Sequence, residues 1–328
     1  MRNAKQFEAL ITDSDYQDAL REVGKKQSED TLAIIDNEGL KEKVAATDGC
    51  PDALFDVVHE HFHDERIRKI LEVERRAFSR SDSYETLFLS SVTSTVNSIA
   101  LMRSPSAISL LCALDPHMLA LSKHKKRVKT EETGVHGNVT FPSGRAEYVV
   151  LKGEMKVRVW RIKAFDDTTD LGKWETGLEC DDPIILKPGD RLRQADYESL
   201  EHLEHDKACL YIYTQMAFGS VPVDISVNTG SKKINAVSAA NPLSSRLQMQ
   251  ATLLRMLGRT DAFDTLVELL DDEAHFVRWH IMRELLVMDT ERALPKLREM
   301  SANDPQPAVR RAALKTLELV PDLLAANA

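Results

Sequence analysis

The 328-residue sequence predicts a multidomain α+β protein: an amino-terminal helical domain over residues 1–130, a central β-barrel or sandwich over 131–235, and a carboxy-terminal helical repeat over 241–328. Three observations predict it. Glycine (13) and proline (12) are both scarce, which favours helices over one large all-β fold. From about residue 134 to 230 the chain turns to short, alternating, β-branched runs with turn signals between them. After 241 a helical unit recurs 31–32 residues on. At about 100–200 residues per domain, the length suits two or three such units.

Charge and composition exclude several classes of function. Lys plus Arg is 43 against 52 Asp plus Glu, a net charge of −9, which argues against nucleic acid or an anionic membrane as the main partner. The amino end, MRNAKQFEAL, has no basic stretch leading into an apolar core, so no secretory signal is expected. No apolar run reaches the roughly 20 residues of a spanning helix. Cys50, Cys112, Cys180 and Cys209 form no CxxC pair, which reads as free thiols in a reducing cytoplasm.

Within the amino-terminal region, Phe7, Leu10 and Ile11 make a short apolar face, followed by Leu32, Ile34, Ile35 and Leu40. Pro51 sits at a first-turn position of a helix expected to run to about Phe78. The most apolar stretch, Tyr84 to Leu121, reads as buried helices, and the cluster Lys123 to Lys129 as a solvated helix end. In the centre, EYVVLKGEMKVRVWRI alternates about a Lys152-Gly153 turn and predicts a hairpin. Ala208 to Thr214 and Val221 to Val227 read as further strands, and Asp166 to Asp170 as an exposed acidic turn. In the last region Ala262 to Leu285 matches Ala293 to Leu317, with Val277-Arg278 against Val309-Arg310. Leu253, Leu254 and Leu257 suit the last helix of a preceding unit.

That repeat resembles the short form of the HEAT repeat family. With 11 basic residues against 13 acidic over 241–328, protein contact or support of the neighbouring domain fits better than DNA. The segments GRAEYVVLKGEMKVRV and ILKPGDRLRQADYESLEHLEHDKACLYIY resemble the two motifs of the cupin superfamily, its thiol dioxygenase branch most. The resemblance implies a cupin-like barrel with a metal or small-ligand site inside. In the family the first motif supplies His-x-His; here Ser143, Gly144, Arg145 and Ala146 stand there, and a guanidinium repels a cation.

The family's second-motif histidine falls near Glu201 or His202, which leaves His136, Glu198, Glu201, His202 and His205 as candidate metal ligands. Such a set would suit one divalent iron, nickel, manganese or zinc ion. On the last strand, Tyr211 and Tyr213 match a His and a Tyr of the thiol dioxygenases, and period-two spacing puts both on one face. With Arg145, Arg158 and Trp160 they are candidate residues for binding a small ligand without metal.

A separate motif, His59-Glu60-His61-Phe62-His63, satisfies HExxH. On one helix His59 and His63 would share a face for zinc, with Glu60 as general base of a peptidase. The expectation drawn from all this is a cytoplasmic small-ligand-binding or regulatory scaffold protein, with protein contacts through the repeats. The alternatives are a cupin-type non-haem metal-dependent oxygenase and, behind it, the zinc peptidase. Whether the chain is an enzyme, and which cofactor it takes, stay open at this stage.

Overall fold

The computed structural model describes residues 13–35, 37–80, 88–93, 95–133, 137–216, 219, 221–271 and 274–326. Phe7, Leu10, Ile11 and His136 lie outside them. Four helices open the described chain: α1 (Ser14–Ile35), α2 (Asn37–Ala45), α3 (Pro51–His61) and α4 (Asp64–Arg80). The single helix expected from Pro51 to Phe78 is two. Phe62, with φ −95° and ψ 49°, ends α3 and drops its ring fully into the core. Asp64 and Glu65 then open α4, where acidic side chains suit the positive end of the helix dipole.

The stretch expected to form buried helices is mostly sheet: β1 (Ser90–Val92), β2 (Val96–Arg103) and β3 (Ala107–Leu114) precede α5 (Pro116–Thr133). Ser104-Pro105-Ser106 turns the chain between β2 and β3, with Ser104 Oγ accepting from the amides of Ser106 (3.2 Å) and Ala107 (3.0 Å). Exposed β1 aside, both faces of β3 and of the end of β2 are covered, so alternation is lost there and the run looks like a buried helix. Asp115 and Pro116 start α5 as a side-chain cap and first-turn proline.

The remaining strands are β4 (Asn138–Phe141), β5 (Ala146–Gly153), β6 (Met155–Arg161), β7 (Glu179–Cys180), β8 (Ile184–Leu186), β9 (Arg191–Gln194), β10 (Glu198–His202), β11 (Cys209–Met216), β12 (Val223–Asn228) and β13 (Ile234–Ala239). Every pairing among the described residues is antiparallel. One sheet runs β1-β2-β3-β11-β5-β9, a second β10-β6-β7 with β8 also on β6, and a third β13-β12-β4. The hairpin expected about Gly153 does not form: β5 pairs with β11 and β9, whereas β6 pairs with β10, β7 and β8. Gly153 instead carries the chain from one sheet to the facing one. Its φ is +82°, and a Cβ there would stand 1.8 Å from Ala208 O, so only glycine fits.

The two larger sheets enclose an interior of Cys112, Tyr148, Val150, Met155, Val157, Cys209 and Tyr211. Alternate residues of the first sheet, among them Leu111, Val149 and Ile212, point outward and pack on Leu54, Phe55, Val58 and Ile70 of the amino-terminal helices. Buried Glu147 reinforces that seam. It accepts from Arg191 and Arg193, which also reach Asp56 and Asp52 of α3.

The carboxy-terminal helices are α6 (Pro242–Met256), α7 (Phe263–Glu268), α8 (His275–Met288), α9 (Thr290–Asn303) and α10 (Pro307–Ala326). The matched segments form the pairs α7/α8 and α9/α10, and α6 packs on α8 as the helix of a preceding unit. Val277 and Val309 are buried at equivalent places. Arg278 forks onto Asp304 at 2.9 and 3.0 Å, both groups nearly sealed from solvent. Among the described residues no helix is long and apolar enough to cross a membrane.

Candidate functional site

The barrel interior gathers Tyr148, Tyr211 and Tyr213, as period-two spacing on β5 and β11 requires. Register sets Tyr213 opposite Tyr148 and Tyr211 opposite Cys112. The Tyr148 and Tyr213 rings are 4.9 Å apart, and Tyr148 and Tyr211 6.1 Å. The Tyr148 hydroxyl donates to Gln194 Oε1 at 3.3 Å, while Gln194 Nε2 donates to Glu198 O at 3.0 Å. His202 enters from β10, its ring 5.8 Å from Tyr211 and 6.5 Å from Tyr148. The residue is half-buried, yet its Nε2 is sealed and has no hydrogen-bond partner.

Burial sets the electrostatics of this chamber. It pushes all three phenols above their ordinary range and the Cys112 and Cys209 thiols up to about 12. Burial, with Lys123 nearby, pulls His202 down to about 4. At neutral pH the lining is therefore uncharged, and what it offers is hydrogen bonds from phenols and one neutral imidazole. Such an interior is unfavourable for an ion.

The other candidates do not join it. Arg158 and Trp160 alternate with buried Val157 and Val159, so they face outward from β6. Trp160 Nε1 donates to Glu201 Oε2 at 2.8 Å, Lys123 of α5 ion-pairs with the same carboxylate, and the Arg158 guanidinium lies 5.9 Å over the Trp160 ring. The cluster around Lys123 is thus no solvated helix end throughout: its first lysine clamps α5 to the barrel. Arg145 pairs with Asp196 at 3.1 Å on the outside.

Glu198 accepts from Arg161 Nε at 2.8 Å and the Ala195 amide at 2.9 Å, and His205 lies 3.1 Å from Glu154 in the following loop. Glu198, Glu201, His202 and His205 therefore do not converge, and His136 lies outside the described residues. Among those described, no three His, Cys, Asp or Glu groups are placed to hold a metal ion. The residues present do not fit a cupin metal centre, and no step through one follows.

The HExxH expectation fails for a structural reason. With α3 ending at His61, His63 lies in the link to α4 and does not stand one turn beyond His59. Glu60 and His63 are exposed, whereas His61 is buried with Nε2 2.6 Å from Ile35 O. Only His61 and Phe62 of the motif are buried, and they pack within the helical domain.

Two features are not evident from the sequence. The acidic turn is not free: Asp167 Oδ1 lies 2.5 Å from His275 Nδ1, Asp170 pairs with Arg311 at 2.8 Å, and Gln306 Nε2 donates to Asp167 O and Thr169 O. With Phe276 packed against Val223 and its neighbours, these contacts fasten the repeats to the barrel. The second is the outer face of α6. Leu243, Met249, Leu253 and Met256 stand 56, 71, 54 and 70% exposed. Met249, Leu253 and Met256 border a groove of about 790 Å³ that also meets Arg246 and His280. The only sequence signal was that 241–257 holds apolar residues on every side of the helix and no acid at all.

Comparison with known proteins places part of this chain. A family model of HEAT repeats matches residues 241–318. No curated protein matches the chain in sequence. Similar solved structures include KdgF from Halomonas sp., at 9% identity and TM-score 0.24 over 42% of this chain and 90% of that one. A cupin superfamily protein from Desulfitobacterium hafniense DCB-2 is similar at 14% identity and TM-score 0.21, over 39% of this chain and 83% of that one. The iron(II) form of HppE is similar at 15% identity and TM-score 0.24, over 59% and 96%.

Proposed function

We propose that the protein is a cytoplasmic adaptor, in which the cupin-like barrel is a frame and the HEAT repeats engage a protein partner along the outer face of α6. The observation that carries this reading is the exposed stripe of Met249, Leu253 and Met256. A helical array needs a polar face where it ends, and a contiguous exposed apolar surface of this kind marks an interaction site. The polar latch between Asp167, Asp170 and the repeats supports the frame role, because it fixes the direction in which the stripe points. The exposed thiols of Cys50 and Cys180 suit a reducing compartment.

The test is a Leu253→Glu/Met256→Glu variant compared with the parent by affinity purification from the source cells. Both side chains are exposed, so the variant keeps its thermal midpoint. A stoichiometric partner held by the parent and lost by the variant supports the adaptor. Equal retention, or no stoichiometric partner at all, contradicts it.

A second reading rests on His202. A buried, unpartnered imidazole nitrogen calls for an explanation, and a small neutral molecule that accepts or donates a hydrogen bond at His202 Nε2 supplies one. Native mass spectrometry then detects a bound small molecule on the parent and none on Tyr211→Phe/Tyr213→Phe. An adduct-free parent removes this reading and leaves the adaptor untouched.

A further inference from the structure

The turn between β12 and β13 and the loop between β6 and β7 enclose an open cleft of about 760 Å³, away from the barrel interior and the groove on α6. That volume lies within the usual range for a small-molecule site. Its lining pairs two chemistries. Lys173, Lys232 and Lys233 stand against a single acid, Glu175, in a chain whose overall charge is −9. Beside them, half-buried Trp174 and the 46% exposed Val237 supply a flat apolar wall. Trp174 is held edge-on to Phe165, ring centres 5.3 Å apart, so its indole is a fixed platform.

The backbone presents one of these lysines at a cost. Lys232 has φ +56°, in the left-handed region that glycine or asparagine adopts with less strain. The conformation is held from three sides. The Lys232 amide donates to Asn228 O at 2.9 Å, and Asn228 Oδ1 accepts from the Gly230 and Ser231 amides. Thr176 Oγ1, from the opposite wall, donates to Lys232 O at 2.7 Å. On the same wall Gly177 lies against the stem of Lys163, where a Cβ would come within 2.8 Å of it. A non-glycine residue kept strained at the rim of a cleft is a pointer to function.

We propose that this cleft binds an organic anion, a carboxylate or phosphate carried on a flat apolar body, with the lysines meeting the charge and Trp174 the body. Neither half of the lining suffices alone: exposed lysines hold a free anion weakly in salt, and an uncharged ring gains little on an open surface. The site is independent of the adaptor reading, which concerns another face.

The test follows the indole N–H signals of the three tryptophans by NMR, Trp174 being assigned from Trp174→Phe. Phenyl phosphate and benzoate should each shift the Trp174 signal saturably at millimolar concentration and leave Trp160 and Trp279 in place. Inorganic phosphate and benzyl alcohol at equal concentration should not. Lys232→Ala/Lys233→Ala should weaken binding at least about tenfold, the scale of one or two charge-assisted contacts. Lys232→Gly should weaken it too while raising the thermal midpoint, because glycine relieves the left-handed turn.

No Trp174 shift with either aromatic anion overturns the proposal, as does unchanged affinity in the double lysine variant. An equal response to inorganic phosphate alone overturns the role of the apolar wall. A response to a tetraglutamate peptide without one to phenyl phosphate replaces the small anion with an acidic chain.

Discussion

Replacing His202 by phenylalanine should change how stability responds to acid more than it changes stability at neutral pH. Burial, reinforced by Lys123 and opposed by Glu201, brings the native imidazole from 6.5 down to about 4. The unfolded chain regains the ordinary value and so binds the extra proton between pH 6.5 and about 4. Stability is fully present above that window and is lost as the pH falls through it. At about 1.36 kcal/mol per pH unit the window is worth about 3 kcal/mol, of which about 2 kcal/mol is gone by pH 5.

Phenylalanine keeps a ring against Tyr148 and Tyr211 and removes the titration. It also removes the unpartnered Nε2, so neutral-pH stability should hold or rise. Urea unfolding of both proteins at pH 7.5 and 5.0, followed by near-ultraviolet circular dichroism, measures the difference. The parent should lose about 2 kcal/mol more than His202→Phe over that interval. Parallel losses would refute the reasoning, since they would mean that the native imidazole takes up its proton as readily as a solvated one.

Other substitutions probe the frame. Asp304→Ala removes the buried carboxylate that pairs with Arg278, a change that costs about 3–5 kcal/mol where a buried pair is broken; a thermal midpoint within a degree or two of the parent would contradict it. Gly153→Ala drives a methyl into Ala208 O at the sheet crossing, so the variant should be recovered mostly insoluble or unfolded, and a parent-like circular dichroism spectrum would refute the crossing. Glu147→Ala leaves Arg191 and Arg193 sharing only Asp52 and Asp56 at the helix–sheet seam. Proteolysis should then release the amino-terminal helices faster than in the parent, and an unchanged cleavage rate would show that the apolar seam alone holds them.

Much of the architecture was legible because it repeats or alternates. Val277-Arg278 and Val309-Arg310 recur at fixed spacing, since each pair opens the second helix of a stacked unit. Tyr211 and Tyr213 share a face because strands have a period of two. What escaped was set by contacts distant in sequence. Strand β3 and the end of β2 are covered by helices on one face and the barrel on the other, which erases alternation. Gly153 looked like a hairpin turn because the pattern cannot say which strands pair. Glu201 and His202 are neighbours, yet one faces Lys123 outside and the other the tyrosines inside, a distinction fixed only by register with β6. The HExxH spacing was real, but the burial of Phe62 broke the helix that would have given it meaning.

An adaptor built in this way meets its partner on α6. Photo-crosslinking from p-benzoylphenylalanine placed at Leu253 in living cells, compared with the same residue placed at Lys296 on α9, tests that directly. One dominant adduct should form from position 253, compete away with excess unlabelled parent and be missing from position 296. No adduct from 253, or the same adducts from both positions, would contradict the adaptor role.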